Sequence, residues 1–220
     1  MISVITPTCR NWPELQRAMA SLEAQTCGDW QHVVVADGPD PDLREAMAAR
    51  GYAGHGQRVF IELGRNWHGF LGGDTGPQTP GSPGARGGRG SRGAEVALIA
   101  THLAAGDWIT YLDADCEYEP GHLELCAAAA AADPTADFVF TRMKRILDGR
   151  PWDVVGDGTV GYGRIDGNIV VHRAALLKTA NWRWGGDADW DVIGRWMDAG
   201  ARAVYVPQVT VRWHHSSSDI

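Results

Sequence analysis

Residues 2–38 read ISVITPTCRNWPELQRAMASLEAQTCGDWQHVVVADG, and their pattern decides the fold class. Ile2 to Thr6 is a β-branched run that predicts a buried strand. Asn11 can cap a helix with Pro13 in its first turn, and Leu15, Ala18, Met19 and Leu22 form its apolar stripe. The run WQHVVVADG is a second strand ending at Asp37. A strand, a helix and a second strand in this space describe a parallel crossover unit.

The alternation continues. Asp40-Pro41 opens a helix, QRVFIELG is a third strand, AEVALIATHLAAG a helix ended by Gly106, and DWITYL a fourth strand. The Ala-rich EPGHLELCAAAAAA follows as a helix, then the strand DFVFTRMKRI, the glycine-rich VVGDGTVGYGRIDGN, a strand from Ile169 to His172, and a closing strand in ARAVYVPQVTVRWHH. The expectation is one α/β domain over residues 1–220 around a mostly parallel, Rossmann-like central sheet. Ligands in such sheets bind beyond the carboxyl ends of the strands.

With 220 residues, 44% hydrophobic and 21% charged, the chain can bury one sizeable core. A formal net charge of −7 excludes a general nucleic-acid binder, which needs a basic face. No apolar run approaches the ~20 residues that span a bilayer, and the amino terminus shows no signal-peptide pattern, so a cytoplasmic protein without a transmembrane segment is expected. Cys9, Cys27, Cys116 and Cys126 form no CxxC pair and read as reduced thiols. A glycine-rich turn after the first strand would mark a dinucleotide or nucleotidyl-transfer site; TPTCRN has none.

The fourth strand ends in WITYLDADCEYEPGHLE, which places Asp113 and Asp115 two residues apart. Like charges at a buried strand end repel and call for a cation between them. Hard carboxylate oxygens suit Mg²⁺ or Mn²⁺, whose remaining positions accept phosphate oxygens. Residues 69–93 are mostly Gly, Pro, Ser and Arg. They read either as a lid whose Arg86, Arg89 and Arg92 close over a diphosphate or as a solvated insertion.

Three stretches in order, residues 2–38, GDWITYLDADCEYEPGHLE and GGDADWDVIGRWMDAGARAVYVP, resemble glycosyltransferase family 2 over nearly the whole chain. The resemblance implies a GT-A fold and metal-dependent, inverting transfer of a sugar from a nucleotide-diphosphate donor, usually a UDP-sugar. It places Thr8 near the base or ribose, Asp37 on the base, Asp113 near the ribose or a metal-bound water, and Asp115 on the metal. Residues 1–115 would then form the donor half and 116–220 the acceptor and catalytic-base half. The general base corresponds to Asp189, flanked by Asp187 and Asp191, which a helix N-terminus also favours. His214 or His215 can complete the metal shell; adjacent strand residues face opposite ways, so only one of them can.

The sequence departs from the family pattern in two places. Ala36-Asp37 stands for the usual acidic pair, and Ala97-Leu98 stands where Ala-Arg-Asn is usual. Five of the 10 tryptophans (Trp182, Trp184, Trp190, Trp196 and Trp213) fall in the last forty positions. Core packing accounts for most of them, and Trp182 and Trp184 are the candidates to meet an acceptor, either a saccharide or a small aglycone. The rival reading is a catalytically silent nucleotide- or sugar-binding module on the same fold.

Overall fold

The computed structural model describes residues 1–9, 11–65, 94–183 and 188–216. Strand β1 (Ile2–Thr8) leads through helix α1 (Trp12–Glu23) to β2 (Trp30–Ala36), and α2 (Pro41–Ala49) to β3 (Arg58–Glu62). Then come α3 (Ala94–Thr101), β4 (Trp108–Tyr111), β5 (Cys116–Tyr118) and α4 (His122–Ala132). The chain closes with β6 (Phe138–Leu147), β7 (Arg150–Val155), β8 (Val170–Arg173), α5 (Ala188–Asp198) and β9 (Ala203–His215).

Among the described residues these strands form one sheet in the order β3-β2-β1-β4-β8-β6-β9-β5, with β7 hydrogen-bonded to β6. Strands β1, β2, β3 and β4 pair in parallel, and β6 and β9 run the same way. The reversed strands are β8, β7 and β5, each of them short. Every residue of β2 is buried, as expected of a strand covered by helices on both faces. The sheet curls until β5 meets α1: Tyr118 donates its backbone N–H to Ser21 Oγ at 3.1 Å, and Arg17 pairs with Glu117 at 3.0 Å.

Local chemistry explains the element ends. Asp40 caps α2 by accepting from Leu43 N–H at 3.0 Å. Asn11 stands at the N-cap position just before α1, but its side chain turns back to accept from Thr8 Oγ1 (2.6 Å) and Cys9 N–H (3.3 Å), so it braces the β1 turn rather than capping the helix. Two short elements were not anticipated. Strand β5 follows directly on the Asp113–Asp115 turn, and β7 grows from a hairpin at Asp148-Gly149. Both hairpin residues have positive φ (47° and 76°), which is the conformation an Asp-Gly pair favours in a tight two-residue turn.

No helix among the described residues is long and apolar enough to cross a membrane.

Candidate active site

The carboxyl ends of β1, β2 and β4 converge on one edge, beside the point where strand order reverses around β1. Thr8 ends β1, and its carbonyl accepts from Asp37 N–H at 2.8 Å, so the ends of β1 and β2 are tied together. Gly38 then turns with φ 106°, a left-handed value that suits glycine. A cleft of ≈ 300 Å³ opens here, lined by Thr8, Asn11, Trp12, Asp40 and Leu43. A smaller one beside it is lined by Thr8, Asp37 and Gly38. Thr8 and Asp37 thus share one concave region.

Asp113 and Asp115 sit on the turn between β4 and β5. They are joined by a carboxylate that the sequence reading missed. The turn before β8 carries Asp166, Gly167 and Asn168, and Asn168 is 4% exposed. Its Nδ2 donates to Asp113 Oδ2 and to Asp166 Oδ1, both at 2.9 Å, while its Oδ1 accepts from Asp113 N–H at 2.7 Å. Gly167 N–H donates to Asp189 Oδ2 at 3.0 Å. A Cβ on Gly167 would lie 3.2 Å from Asp189 Oδ1, so the absent side chain lets the carboxylate lean in. One three-residue turn therefore holds the strand-end aspartate and the helix aspartate together. The signal available in the sequence was the glycine-rich stretch ending RIDGN.

Electrostatics follow from this crowding. Burial, then Asp115 and Asp189, push the Asp113 carboxyl well above the usual range, while the Asn168 hydrogen bond opposes the shift. Burial raises Asp166 as well. Asp189 is pushed up to about 7 by burial and then by Asp166, against the Gly167 N–H. Burial and a neighbouring carboxylate thus bring Asp189 toward neutrality, the range in which a carboxyl readily exchanges a proton. Asp191, two residues on, is engaged elsewhere: Arg183 donates to its Oδ1 at 2.5 Å and Arg195 to its Oδ2 at 2.7 Å. Asp187 and Trp184 lie outside the described residues, as does the stretch holding Arg86, Arg89 and Arg92.

Among the described residues no three His, Cys, Asp or Glu side chains are gathered closely enough to hold a metal ion. Asp115, Asp189 and Asp166 repel the Asp113 carboxylate, and hard carboxylate oxygens under such repulsion are the chemistry that a divalent cation would relieve. Asp115 Oδ2 accepts from the indole N–H of Trp213 at 2.9 Å. His215 lies against that same indole, with ring centroids 3.6 Å apart. The ring of His214 instead approaches Glu117, 3.1 Å away without hydrogen-bond geometry, and burial and Arg17 keep its pKa low. Trp182 is 7% exposed and packs edge-on against Tyr111 at 4.8 Å. Its indole N–H is buried and turned toward Tyr111, whose hydroxyl feels it as a hydrogen-bond donor.

The sequence model of the family described as Glycosyl transferase family 2 matches residues 3–73 and 86–188. No curated protein matches the sequence. Among solved structures, residues 1–349 of S. aureus TarS superpose with a TM-score of 0.71 at 17% identity, covering 97% of this chain and 60% of that one. The same TarS fragment in complex with UDP-GlcNAc gives 0.69 at 18% identity, covering 97% and 58%. Its complex with UDP gives 0.65 at 19%, covering 99% and 61%. The chain thus spans less than two thirds of the TarS fragment it resembles. At these identities the likeness speaks for the fold: a single α/β domain of the GT-A type.

Proposed function

We propose, since this chain belongs to glycosyl transferase family 2, that it moves a sugar from a nucleotide-diphosphate donor to an acceptor hydroxyl with inversion at the anomeric carbon. The observation that carries this reading is the Asp166-Gly167-Asn168 turn, which joins Asp113 at the end of β4 to Asp189 at the start of α5. A donor-side carboxylate and a proton-accepting carboxylate then flank one space, as a single displacement requires.

Thr8 and Asp37 hold the nucleoside, with Asp37 accepting from the base. The TarS complexes with UDP and UDP-GlcNAc favour uracil as that base. Asp113, fixed on Asn168, faces the ribose or a metal-bound water. Asp115 holds Mg²⁺ or Mn²⁺, and His214 or His215 assists it. Bound there, the ion offsets charge growing on the leaving diphosphate. Asp189 takes the proton from the attacking hydroxyl, and Gly167 N–H keeps the carboxylate pointed at it. Trp182 and Trp184 are the aromatic side chains that would meet the acceptor. Residues 1–115 serve the donor and 116–220 the acceptor and base.

Calorimetry of UDP with Mn²⁺, and again in EDTA, tests the donor assignment. Saturable binding that weakens at least about tenfold in EDTA and in Asp115→Ala is expected. Equal UDP affinity under both conditions removes the metal from the account, and no binding at all removes the donor site.

A further inference from the structure

Beside the acidic cluster stands an aromatic row whose outer end the donor chemistry does not use. It begins at Trp213, whose indole N–H is bonded to Asp115. His215 packs on Trp213, and Trp152 meets His215 edge-on with centroids 6.5 Å apart. At 52% exposure, Trp152 is the most exposed large hydrophobic side chain among the described residues.

Its position is built rather than incidental. Along the β6–β7 hairpin Arg145 pairs with Asp153 but Ile146 pairs with Pro151, so Trp152 is the extra residue of a β-bulge. Bulges re-aim a side chain, often beside a functional site. Arg145 sits over the Trp152 ring at 4.8 Å and is held from the other side by both carboxylate oxygens of Asp153. In register, Arg145 stands beside Trp213 on β9, and its charge reaches Asp166. The row is therefore continuous with the site, and its outer end is a half-exposed indole flanked by a guanidinium and a carboxylate.

That combination suits a sugar ring. A pyranose offers an apolar C–H face for the indole and equatorial hydroxyls for flanking charged groups, whereas an aliphatic partner would have no use for the Arg145–Asp153 pair. We propose that Trp152, flanked by Arg145 and Asp153, is an outer subsite that binds a pyranose unit of a saccharide acceptor. The proposal rests on the glycosyltransferase reading for its meaning and adds the substrate class: an acceptor carrying at least one sugar ring beyond the one that reacts.

Saturation-transfer NMR with a panel of methyl α- and β-pyranosides of glucose, galactose, mannose and N-acetylglucosamine reads this directly. Ring C–H protons of at least one pyranoside should receive saturation from the wild-type protein, Trp152→Ala should abolish the effect, and Trp152→Tyr should restore part of it. UDP affinity, measured on the same samples, should be the same in all three proteins. Pyranoside signals indifferent to Trp152→Ala, or absent from the wild type, overturn the subsite. So does a change of sedimentation coefficient in Trp152→Ala without pyranoside contact, which would make Trp152 a contact between two copies of the chain. Failure of UDP to bind leaves the pyranoside result standing and defeats the donor reading instead.

Discussion

Replacing Asp189 by Asn should separate chemistry from structure. The amide is isosteric, and its oxygen can still accept from Gly167 N–H, so the turn that carries Asn168 keeps its place. What is lost is the capacity to take a proton. Loss of a general base costs roughly 10²–10⁴-fold in turnover, or about 3–5 kcal/mol of transition-state stabilisation. Folding should move the other way. A carboxyl whose folded pKa is raised from about 4 to about 7 destabilises the folded state progressively as pH rises through that window, and has no such effect below it. Asp189→Asn should therefore melt no lower than wild type at pH 8, and its advantage should vanish near pH 4. Asp191→Asn is the contrasting variant. It disrupts the charge-assisted bonds from Arg183 and Arg195, and should cost about 1–3 kcal/mol of stability with turnover largely kept. UDP release from UDP-sugars with Mn²⁺, followed alongside thermal melts, reads both quantities. If Asp189→Asn kept turnover while Asp191→Asn lost it, the base would have to be reassigned to Asp191.

In metal-free protein the Asp189 carboxyl should titrate near pH 7 by ¹³C NMR, and Mg²⁺ should lower that value because a nearby cation favours the carboxylate; an ordinary value near 4 without metal would show that the site is open to water. Asn168→Ala strands the N–H of Asp113 and frees its carboxylate, so melting should show a loss of about 1–3 kcal/mol and the donor KM should rise; an unchanged KM would mean that Asp113 does not need its clamp. Gly167→Ala drives a methyl to within 3.2 Å of Asp189 Oδ1, so kcat should fall while calorimetry finds UDP affinity intact, and a parallel loss of both would place Asp189 in donor binding.

Much of the amino-terminal half was legible because periodicity and turn chemistry agree there. The apolar runs of β1, β2 and β4, Pro13 and the Asp40 cap each carry a local signal, and the strands end where Thr8, Asp37 and Asp113 stand. The second half was harder because its short strands owe their existence to distant partners. Strand β5 has three residues, and only pairing with β9 makes it a strand. Strand β7 did have a signal in Asp148-Gly149, but the glycines after it made the whole stretch look like loop. That cost the reading Trp152 along with the hairpin. Asp166 and Asn168 were hidden differently. Only the glycine-rich stretch marks them, because Asn168 bonds Asp113, 55 positions earlier, and Asp166 bonds Asn168 itself. Asp189 and Asp191 were both visible in sequence as acids two positions apart, with the resemblance pointing to Asp189, whereas the arginines around Asp191 come from the fold.

The most direct test of the central claim watches the anomeric proton. With α-linked UDP-sugars, UDP-GlcNAc among them, and Mn²⁺, water can serve as the acceptor, and early ¹H NMR spectra show which anomer is released before mutarotation mixes them. A single displacement assisted by Asp189 predicts that the free sugar appears first as the β anomer, and that Asp189→Asn suppresses its appearance. Release of the α anomer first would contradict the mechanism, and no release from any donor would contradict the transferase.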